Sequence, residues 1–149
     1  MKQREIIFDK ENIEFEINED SDIVSRLKLS GTDSIKANLK FIHNKPYTKS
    51  RINIKAVLFD EARLDIEGML VINSNANQTD TYLKMDCLIM SKNAYARLVP
   101  GLEIKASEVK GGHGATIGYI DLELLNYLQS RGLNQKTCEN LIVDAFLQK

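Results

Sequence analysis

The sequence predicts a mostly β protein that ends in two short α-helices. Apolar side chains alternate with polar or charged ones along most of the first 106 residues, a pattern typical of half-buried strands. No Asn-Gly or Asp-Gly pair occurs, although tight β-hairpins favour both pairs. Helix start and stop signals follow only after residue 120. The pattern therefore indicates many short strands without tight hairpins, followed by a helical tail.

Seven segments show the alternation expected of strands. Their inward positions are, in chain order, Ile13, Phe15 and Ile17; Ile23, Ser25, Leu27 and Leu29; Ile35, Ala37, Leu39 and Phe41; Ile52, Ile54 and Ala56; Leu64, Ile66, Gly68, Leu70 and Ile72; Leu83, Met85, Cys87 and Ile89; and Leu102, Ile104 and Ala106. Polar turn residues separate several of them, as at Ser30 to Asp33, Asn44 to Pro46 and Asn73 to Asp80. Their spacing is irregular, so periodicity alone leaves both a β-solenoid and a β-sandwich open.

A glycine-rich stretch follows the last predicted strand and presents His113. It reads Gly111-Gly112-His113-Gly114-Ala115-Thr116, and we expect it to be a loop. Glycines on both sides of the histidine allow positive φ angles and leave the imidazole unobstructed. From the residues alone, His113 is either an exposed turn residue or a functional one. His43 has no comparable context, and we expect it at the surface.

Two helices are predicted in the tail. Asp121 is the expected N-cap of the first helix, and Gly132 ends it because glycine tolerates a left-handed turn. Asn134 is the expected N-cap of the second, with Leu133 and Cys138 at the spacing of a hydrophobic staple. The apolar stripe of the first helix comprises Leu124, Leu125 and Leu128, and that of the second Cys138, Leu141, Ile142, Ala145 and Phe146.

Length and charge limit the classes of protein that the chain can represent. A chain of 149 residues predicts one domain, which we divide into a β core at 1–120 and a helical segment at 121–149. A net charge of −1 argues against a dedicated nucleic-acid-binding protein. No apolar run approaches the roughly 20 residues that a membrane span needs, and charges interrupt the N-terminal segment before a signal-peptide core forms. We therefore expect a cytoplasmic protein that binds neither nucleic acid nor membranes.

Charged residues and cysteines suggest little chemistry by themselves. The basic run could bind a polyanion, but most of its cations occupy outward strand positions, where a solvated face is expected. This run comprises Lys36, Lys40, Lys45, Lys49, Arg51 and Lys55. Carboxylate pairs such as Glu103 and Glu108 have no fixed separation, so acid–base catalysis is not indicated. Cys87 and Cys138 lie far apart without a CxxC pair, and we expect both to pack as small hydrophobes.

A series of short motifs runs in order from about Met85 to Phe146. It comprises Leu88 to Ala94, Pro100 to Ile104, Val109-Lys110, His113 to Thr116, Tyr127-Leu128, Ser130 to Gly132, and Ala145-Phe146. The series resembles the C-terminal end of the SufB/SufD family, the scaffold subunits of an iron–sulfur cluster assembly complex. Weaker similarity extends back to about Tyr47. Gly114 after the histidine resembles the SufD type, whereas Gly111 stands where that type usually has a cysteine. Family members are several times longer as a rule.

The resemblance implies both a fold and a set of functional residues. The fold is a right-handed parallel β-helix followed by C-terminal helices. His113 becomes a candidate ligand for iron or an iron–sulfur cluster, which would be shared at a subunit interface rather than held by this chain alone. A SufC-like ABC ATPase is expected to contact Tyr127, Arg131, Leu141 and Phe146. A SufB-like subunit, or a second copy of the chain, is expected to pair edge to edge at Leu102, Ile104 and Ala106.

Two functions of different classes follow, and neither is enzymatic. The first is a SufD-like component of an iron–sulfur cluster assembly complex. The alternative is an interaction module that docks the ATPase through its helices without handling iron. A solenoid enzyme acting on polysaccharides is a distant third hypothesis, because no constellation of acids on adjacent strands can be assembled from the sequence.

Overall fold

The chain folds as a β-solenoid with a helical tail. The computed structural model describes residues 1–148. The strands are β1 (Lys2–Glu5), β2 (Asn12–Ile17), β3 (Ser21–Leu29), β4 (Ser34–His43), β5 (Lys49–Leu58), β6 (Arg63–Ile72), β7 (Asp80–Ile89), β8 (Tyr95–Ile104) and β9 (Lys110–Tyr119). The helices are α1 (Leu122–Ser130) and α2 (Gln135–Gln148). The mostly β class and the two C-terminal helices are as predicted.

Alternate strands form two separate sheets. Sheet 1 has the order β1-β3-β5-β7-β9, and sheet 2 has the order β2-β4-β6-β8. All strand pairs of the two sheets are parallel. Consecutive strands therefore belong to different sheets, and each coil adds one strand to each sheet. This topology explains the lack of hairpin signals and confirms the parallel solenoid that the family resemblance implies.

The coils have similar but unequal lengths. In sheet 1, Ser21 pairs with Ser50, Ser50 with Thr81, and Thr81 with Gly111, at separations of 29, 31 and 30 residues. In sheet 2 the corresponding separations are 26, 29 and 32 residues. Because the two sheets keep different spacings, the repeat of about 30 residues is hidden in the sequence.

Inward-facing residues of both sheets form one apolar core. Phe41, Ile52 and Leu83 are fully buried, and Phe15 stacks on Phe41 with the ring centroids 5.4 Å apart. Burying each such side chain contributes roughly 1.5–3 kcal/mol to folding. The core confirms the inward phase read from the alternation. It includes Cys87, where burial raises the pKa of the thiol to about 12.

Two predictions at the C-terminal end of the solenoid are wrong in part. Strand β8 begins at Tyr95, so the predicted segment from Leu102 covers only its last residues, and Ala106 lies in a bend beyond it. The predicted glycine loop around His113 is strand β9. Glycine concealed this strand because it lacks the side chain on which the alternating pattern depends. The segment is a strand because all of its residues pair with β7 in parallel.

His43 is buried, and the surface position predicted for it is wrong. Its ring faces the core at the end of β4, with Nδ1 2.7 Å from Thr48 Oγ1 and Nε2 2.9 Å from Ser50 Oγ. Thr81 Oγ1 extends this network at 2.6 Å from Ser50 Oγ. Burial lowers the pKa of His43 to about 4. The alternation that places Phe41 inward also places position 43 inward, so the sequence pattern already indicated a buried histidine.

Helix α2 packs on the outer face of sheet 1. Val143 and Leu147 pack with Val57 and Leu88 of strands β5 and β7. The predicted stripe of α2 is therefore rotated relative to the buried face. Its exposed members are Leu141 and Ala145. The helix has apolar residues on two neighbouring stripes, and the sheet surface decides which stripe is buried. Neither helix of the described chain is long and apolar enough to cross a membrane.

Cations from sheet 1 bind the C-terminal end of α2. Lys55 Nζ donates to the Phe146 carbonyl oxygen at 2.9 Å, and Arg26 Nε donates to the Leu147 carbonyl oxygen at 2.8 Å. The last carbonyls of a helix lack partners within it and attract positive charge. Lys55 is only 6% exposed, so the solvated position predicted for it is wrong: the helix covers an outward-facing residue.

Three of the six cations of the basic run are paired with acids of a neighbouring coil. On sheet 2, Lys36 lies 3.2 Å from Glu11 and Lys40 lies 3.5 Å from Glu14. On sheet 1, Arg51 lies 3.0 Å from a carboxylate oxygen of the next strand. The run is thus divided between two faces and half of its cations are neutralised, which favours a solvated face over a polyanion site.

The buried His43 should make the stability of the protein depend on pH. Its pKa in the folded chain is about 4, below the value of 6.5 for an ordinary histidine. Protonation therefore favours unfolding, and stability present above the ordinary pKa is lost as the pH falls towards the folded one. We expect urea denaturation to show that this group lowers the free energy of unfolding by about 2 kcal/mol between pH 7 and pH 5.

The two histidines of the chain provide a matched comparison. His43→Gln should remove this part of the pH dependence, whereas His113→Gln should retain it because His113 is exposed. An unchanged difference between pH 5 and pH 7 in His43→Gln would show that another group is responsible.

Candidate functional site

The solenoid ends in β8 and β9, each of which has one unpaired edge within the described chain. His113 lies near the middle of β9, in register with Leu83 of β7. Leu83 is fully buried, and His113 faces the same inward side. The imidazole is nevertheless exposed because no further coil covers it. The fold therefore presents this histidine at the open end of the core.

The backbone of His113 also faces the open edge. The N–H groups of Lys110 and Ile120 donate to carbonyls at the two ends of β7, so the even-numbered residues of β9 bond to that strand. In a parallel strand, the N–H and C=O groups of successive residues point alternately to the two sides. His113 and the other odd-numbered residues therefore direct their backbone groups away from β7. The imidazole and unpaired amides share one edge.

Gly111 lies on the same side of β9 as His113. A Cβ atom at this position would lie 3.3 Å from Leu102 Cδ1 and 3.5 Å from Ile72 Cδ1. Any side chain here would thus press against the last layer of the core. The cysteine that SufD-type proteins usually have at this position would face the same open end as the histidine. In this chain glycine leaves the position without a thiol.

The available donors do not fit a cluster held by this chain alone. Thiolates normally hold iron–sulfur clusters, with imidazole replacing them at some irons. Cys87 is buried with its thiol pKa raised to about 12, and the buried Cys138 Sγ lies 3.8 Å from the Leu133 carbonyl oxygen. No group of three or more His, Cys, Asp or Glu residues in 1–148 could hold a metal ion. The exposed imidazole of His113 could supply at most one ligand to such a group.

Apolar side chains surround the open end. Ile104 of β8 and Ile117 of β9 are 45% and 43% exposed. Their register partners, Ile72 and Cys87, are buried in the preceding coil. Tyr119 at the end of β9 is also exposed. The surface therefore combines unpaired strand edges with an uncovered part of the core, and both features favour contact with another chain.

The helical tail carries the second predicted surface. Tyr127 is exposed, and the Arg131 guanidinium lies 5.7 Å from the centroid of its ring. Leu141 is also exposed, at 49%. Phe146 differs from these three residues because it packs against the sheet, with Lys55 Nζ 5.7 Å from its ring centroid. The structure thus places Phe146 where it attaches α2 to sheet 1.

Caps and turns of the tail agree with the sequence. Asp121 Oδ1 accepts N–H bonds from the first turn of α1, Asn134 Oδ1 accepts one from Thr137, and Gly132 has a φ of +94°. Further exposed apolar residues that sequence reasoning did not assign to the partner surface are Leu122, Leu124 and Leu133. Leu124 belongs to the predicted apolar stripe of α1, of which only Leu125 is buried. The tail is therefore more apolar on its outer side than predicted.

The coiled sheets, the terminal histidine and the helical tail together define a solenoid scaffold of the kind that the sequence motifs indicated. Residues 8–146 match the family described as "SUF system FeS cluster assembly, SufBD core domain". The chain therefore belongs to the SufBD core domain family.

Individual relatives agree with this assignment. The chain is 39% identical over 104 residues to the iron–sulfur cluster assembly protein SufD of Escherichia coli (strain K12), covering 70% of this chain and 25% of that protein. It is 35% identical over 94 residues to a SufBD family protein of Pyrococcus horikoshii, covering 63% and 21%. A SufBD family protein of Mycobacterium tuberculosis (strain CDC 1551) is 32% identical over 120 residues, covering 75% and 30%. The chain spans less than a third of the length of these relatives.

Proposed function

We propose that this chain is a SufD-like component of an iron–sulfur cluster assembly complex. The observation that carries the proposal is the family match over residues 8–146, which includes the open end with His113. At this end the chain would pair with a SufB-like scaffold subunit or with a second copy of itself. A SufC-like ABC ATPase would bind the outer side of α1 and α2. The chain itself would act as a scaffold and not as an enzyme.

The proposed part of His113 follows from its position at the open edge. A ligand that faces the edge can contribute to a site completed by residues of a second subunit. Iron or a cluster would be cargo at that shared site, because the donors of this chain supply one ligand. The partner would contribute the thiolates that this chain lacks at Gly111.

The alternative is an interaction module that binds the ATPase but handles no iron. Its specific support is Gly111, which leaves His113 without the thiol that SufD-type proteins usually carry beside it. The exposed apolar side of the helical tail is consistent with both functions. The two functions differ in the iron content of the assembled complex.

Loss of the His113 imidazole should lower the iron content of the complex. We expect His113→Ala to remove more than half of the iron bound by the chain and its SufB-like and SufC-like partners. Because the side chain is exposed, the free energy of unfolding should change by no more than about 0.5 kcal/mol. Iron and sulfide would be measured after anaerobic co-purification.

Thr116→Ala provides the control for this measurement. It changes an exposed residue of the same strand that faces the opposite side of β9 from His113. The control should bind as much iron as the wild type. Equal iron in wild type and His113→Ala would favour the interaction module.

Charge at Leu141 should weaken binding of the ATPase. Leu141→Glu would place an unpaired carboxylate in an apolar contact, and we expect affinity to fall at least about thirtyfold, as for an interface hot spot. Asn140→Asp adds a charge on the same helix without altering an apolar residue, and it should bind normally. Calorimetric titration with the purified ATPase would measure both affinities. Undiminished binding by Leu141→Glu would contradict docking at this surface.

The proposed pairing edge of β8 can be specified from its hydrogen bonds. The N–H groups of Tyr95 and Lys105 bond to the β6 side, so even-numbered residues of β8 face the open edge. Pro100 occupies one of these positions, where a missing N–H costs no bond within the sheet. Leu102 and Ile104 face the edge with free backbone groups, whereas the third residue expected there lies beyond the strand.

Proline at position 104 should weaken self-association. We expect the chain without other partners to form a two-fold dimer through this end, because closed two-fold symmetry is the commonest arrangement for one surface patch. Ile104→Pro removes an edge-facing N–H and should shift the dimer towards monomer in analytical ultracentrifugation. Ile104→Val retains that N–H and should remain dimeric. A wild-type protein that sediments as a monomer at high micromolar concentration would contradict the pairing.

A further inference from the structure

Strand β9 is unusually poor in side chains for a strand at a sheet edge. Four of its ten residues are glycines, and it pairs on one side only, with β7. Each glycine destabilises a strand relative to alanine because it loses more backbone entropy on folding. Gly112 and Gly114 flank His113 and face outward, opposite to the imidazole. The strand that carries the proposed ligand therefore needs restraint from outside its own sequence.

Tyr82 supplies a contact of this kind. It is the register partner of Gly112 on β7. A Cβ atom on Gly112 would lie 2.9 Å from Tyr82 Cδ2 and 3.0 Å from Cε2, and one on Gly114 would lie 3.1 Å from the Tyr82 hydroxyl oxygen. The tyrosine side chain therefore extends along β9, with its ring at Gly112 and its hydroxyl oxygen at Gly114, and occupies the space that two side chains would take. Aromatic rings that cover glycines on a neighbouring strand hold such strands in place.

The two glycines covered by Tyr82 determine the position of the residue between them. Their peptide groups set the Cα position and the direction of the His113 side chain on the opposite face. Gly112 and Gly114 also belong to the even-numbered set that bonds to β7. A tyrosine side chain that lies against both residues restrains the pleat of the strand on each side of the histidine. Tyr82 itself is 43% exposed, so it acts from the surface and not through the core.

We propose that Tyr82 is a positioning residue for His113, holding the glycine-flanked strand so that the imidazole faces the open end in one orientation. This inference rests on the proposed ligand role of His113. The ring carbons make the contact with Gly112, and the hydroxyl oxygen makes the contact with Gly114. Phenylalanine at position 82 should therefore retain the first contact and lose the second.

Amide hydrogen exchange tests the restraint in the chain itself. Tyr82→Ala should make exchange at Gly112 and Gly114 about two- to fivefold faster, the range expected from losing one cross-strand side-chain contact. Tyr82→Phe should exchange like the wild type at Gly112, which the ring carbons cover. Tyr95→Ala removes another exposed tyrosine, on sheet 2, and should leave both amides unchanged. Unchanged exchange in Tyr82→Ala would overturn the inference.

A double substitution tests whether the ring and the glycine share one space. In the wild type, Gly112→Ala should displace the Tyr82 ring and speed exchange at Gly114, because the new methyl group would lie within 2.9 Å of it. In Tyr82→Ala, the same substitution fills vacated space and should slow exchange. Equal effects of Gly112→Ala in both backgrounds would contradict the contact.

Iron binding by the complex separates this inference from the proposed function. If both hold, Tyr82→Ala lowers iron content as His113→Ala does, and Tyr82→Phe, which keeps the ring at Gly112, binds more iron than Tyr82→Ala. If His113→Ala lowers iron but Tyr82→Ala does not, positioning by Tyr82 is wrong. If His113→Ala leaves iron unchanged, the ligand role fails, and the exchange measurements alone decide whether Tyr82 holds the strand.

Discussion

Stacking of each coil on the one before it is the constraint on which the structure depends. A strand in this fold satisfies its backbone groups through the strands above and below it, and its inward side chains are buried by the same neighbours. The last strand of each sheet has a neighbour on one side only. The change from buried Leu83 to exposed His113 at the same register position shows the effect of this loss. The open end is a direct consequence of the way the core is built.

The outer surface of the solenoid follows a different rule. Most outward residues are polar, but Val57 and Leu88 on sheet 1 are apolar and require cover. Helix α2 covers them, and the cations beside them bind its last carbonyls. Apolar contacts and helix-end charges thus fix one side of α2 to the sheet. The opposite side remains apolar and exposed at Leu141, so attachment to the solenoid leaves the proposed partner surface uncovered.

Sequence reasoning succeeded where local physics decides the outcome. Alternation located the inward residues of the strands through β7, and the caps at Asp121 and Asn134 are local hydrogen bonds. It failed where a distant surface decides. Sheet 1 determines which face of α2 is buried. The same helix covers Lys55, for which a solvated position was expected. Short strand β1 was missed because its four residues form a strand only through pairing with β3.

The candidate site was predicted in part for the same reason. His113 was identified from motifs, but its setting depends on pairing that leaves no local signal in a glycine-rich segment. His43 was the opposite case: its inward phase was visible, yet a polar residue there is unexpected until its hydroxyl partners are known. Thr48 and Ser50 supply those partners from the next turn and strand.

Glycine in β9 links the hidden strand to the proposed use of the open end. A strand with large outward side chains at positions 112 and 114 would be easier to recognise, but it would have no space for Tyr82. With glycine at both positions, the ring of the preceding coil lies directly on the backbone that carries His113. A ligand shared between subunits must be held in one orientation before the partner arrives, since disorder at the site weakens binding. The strand gains that order from β7, so the last coil is positioned by the same stacking that built the others.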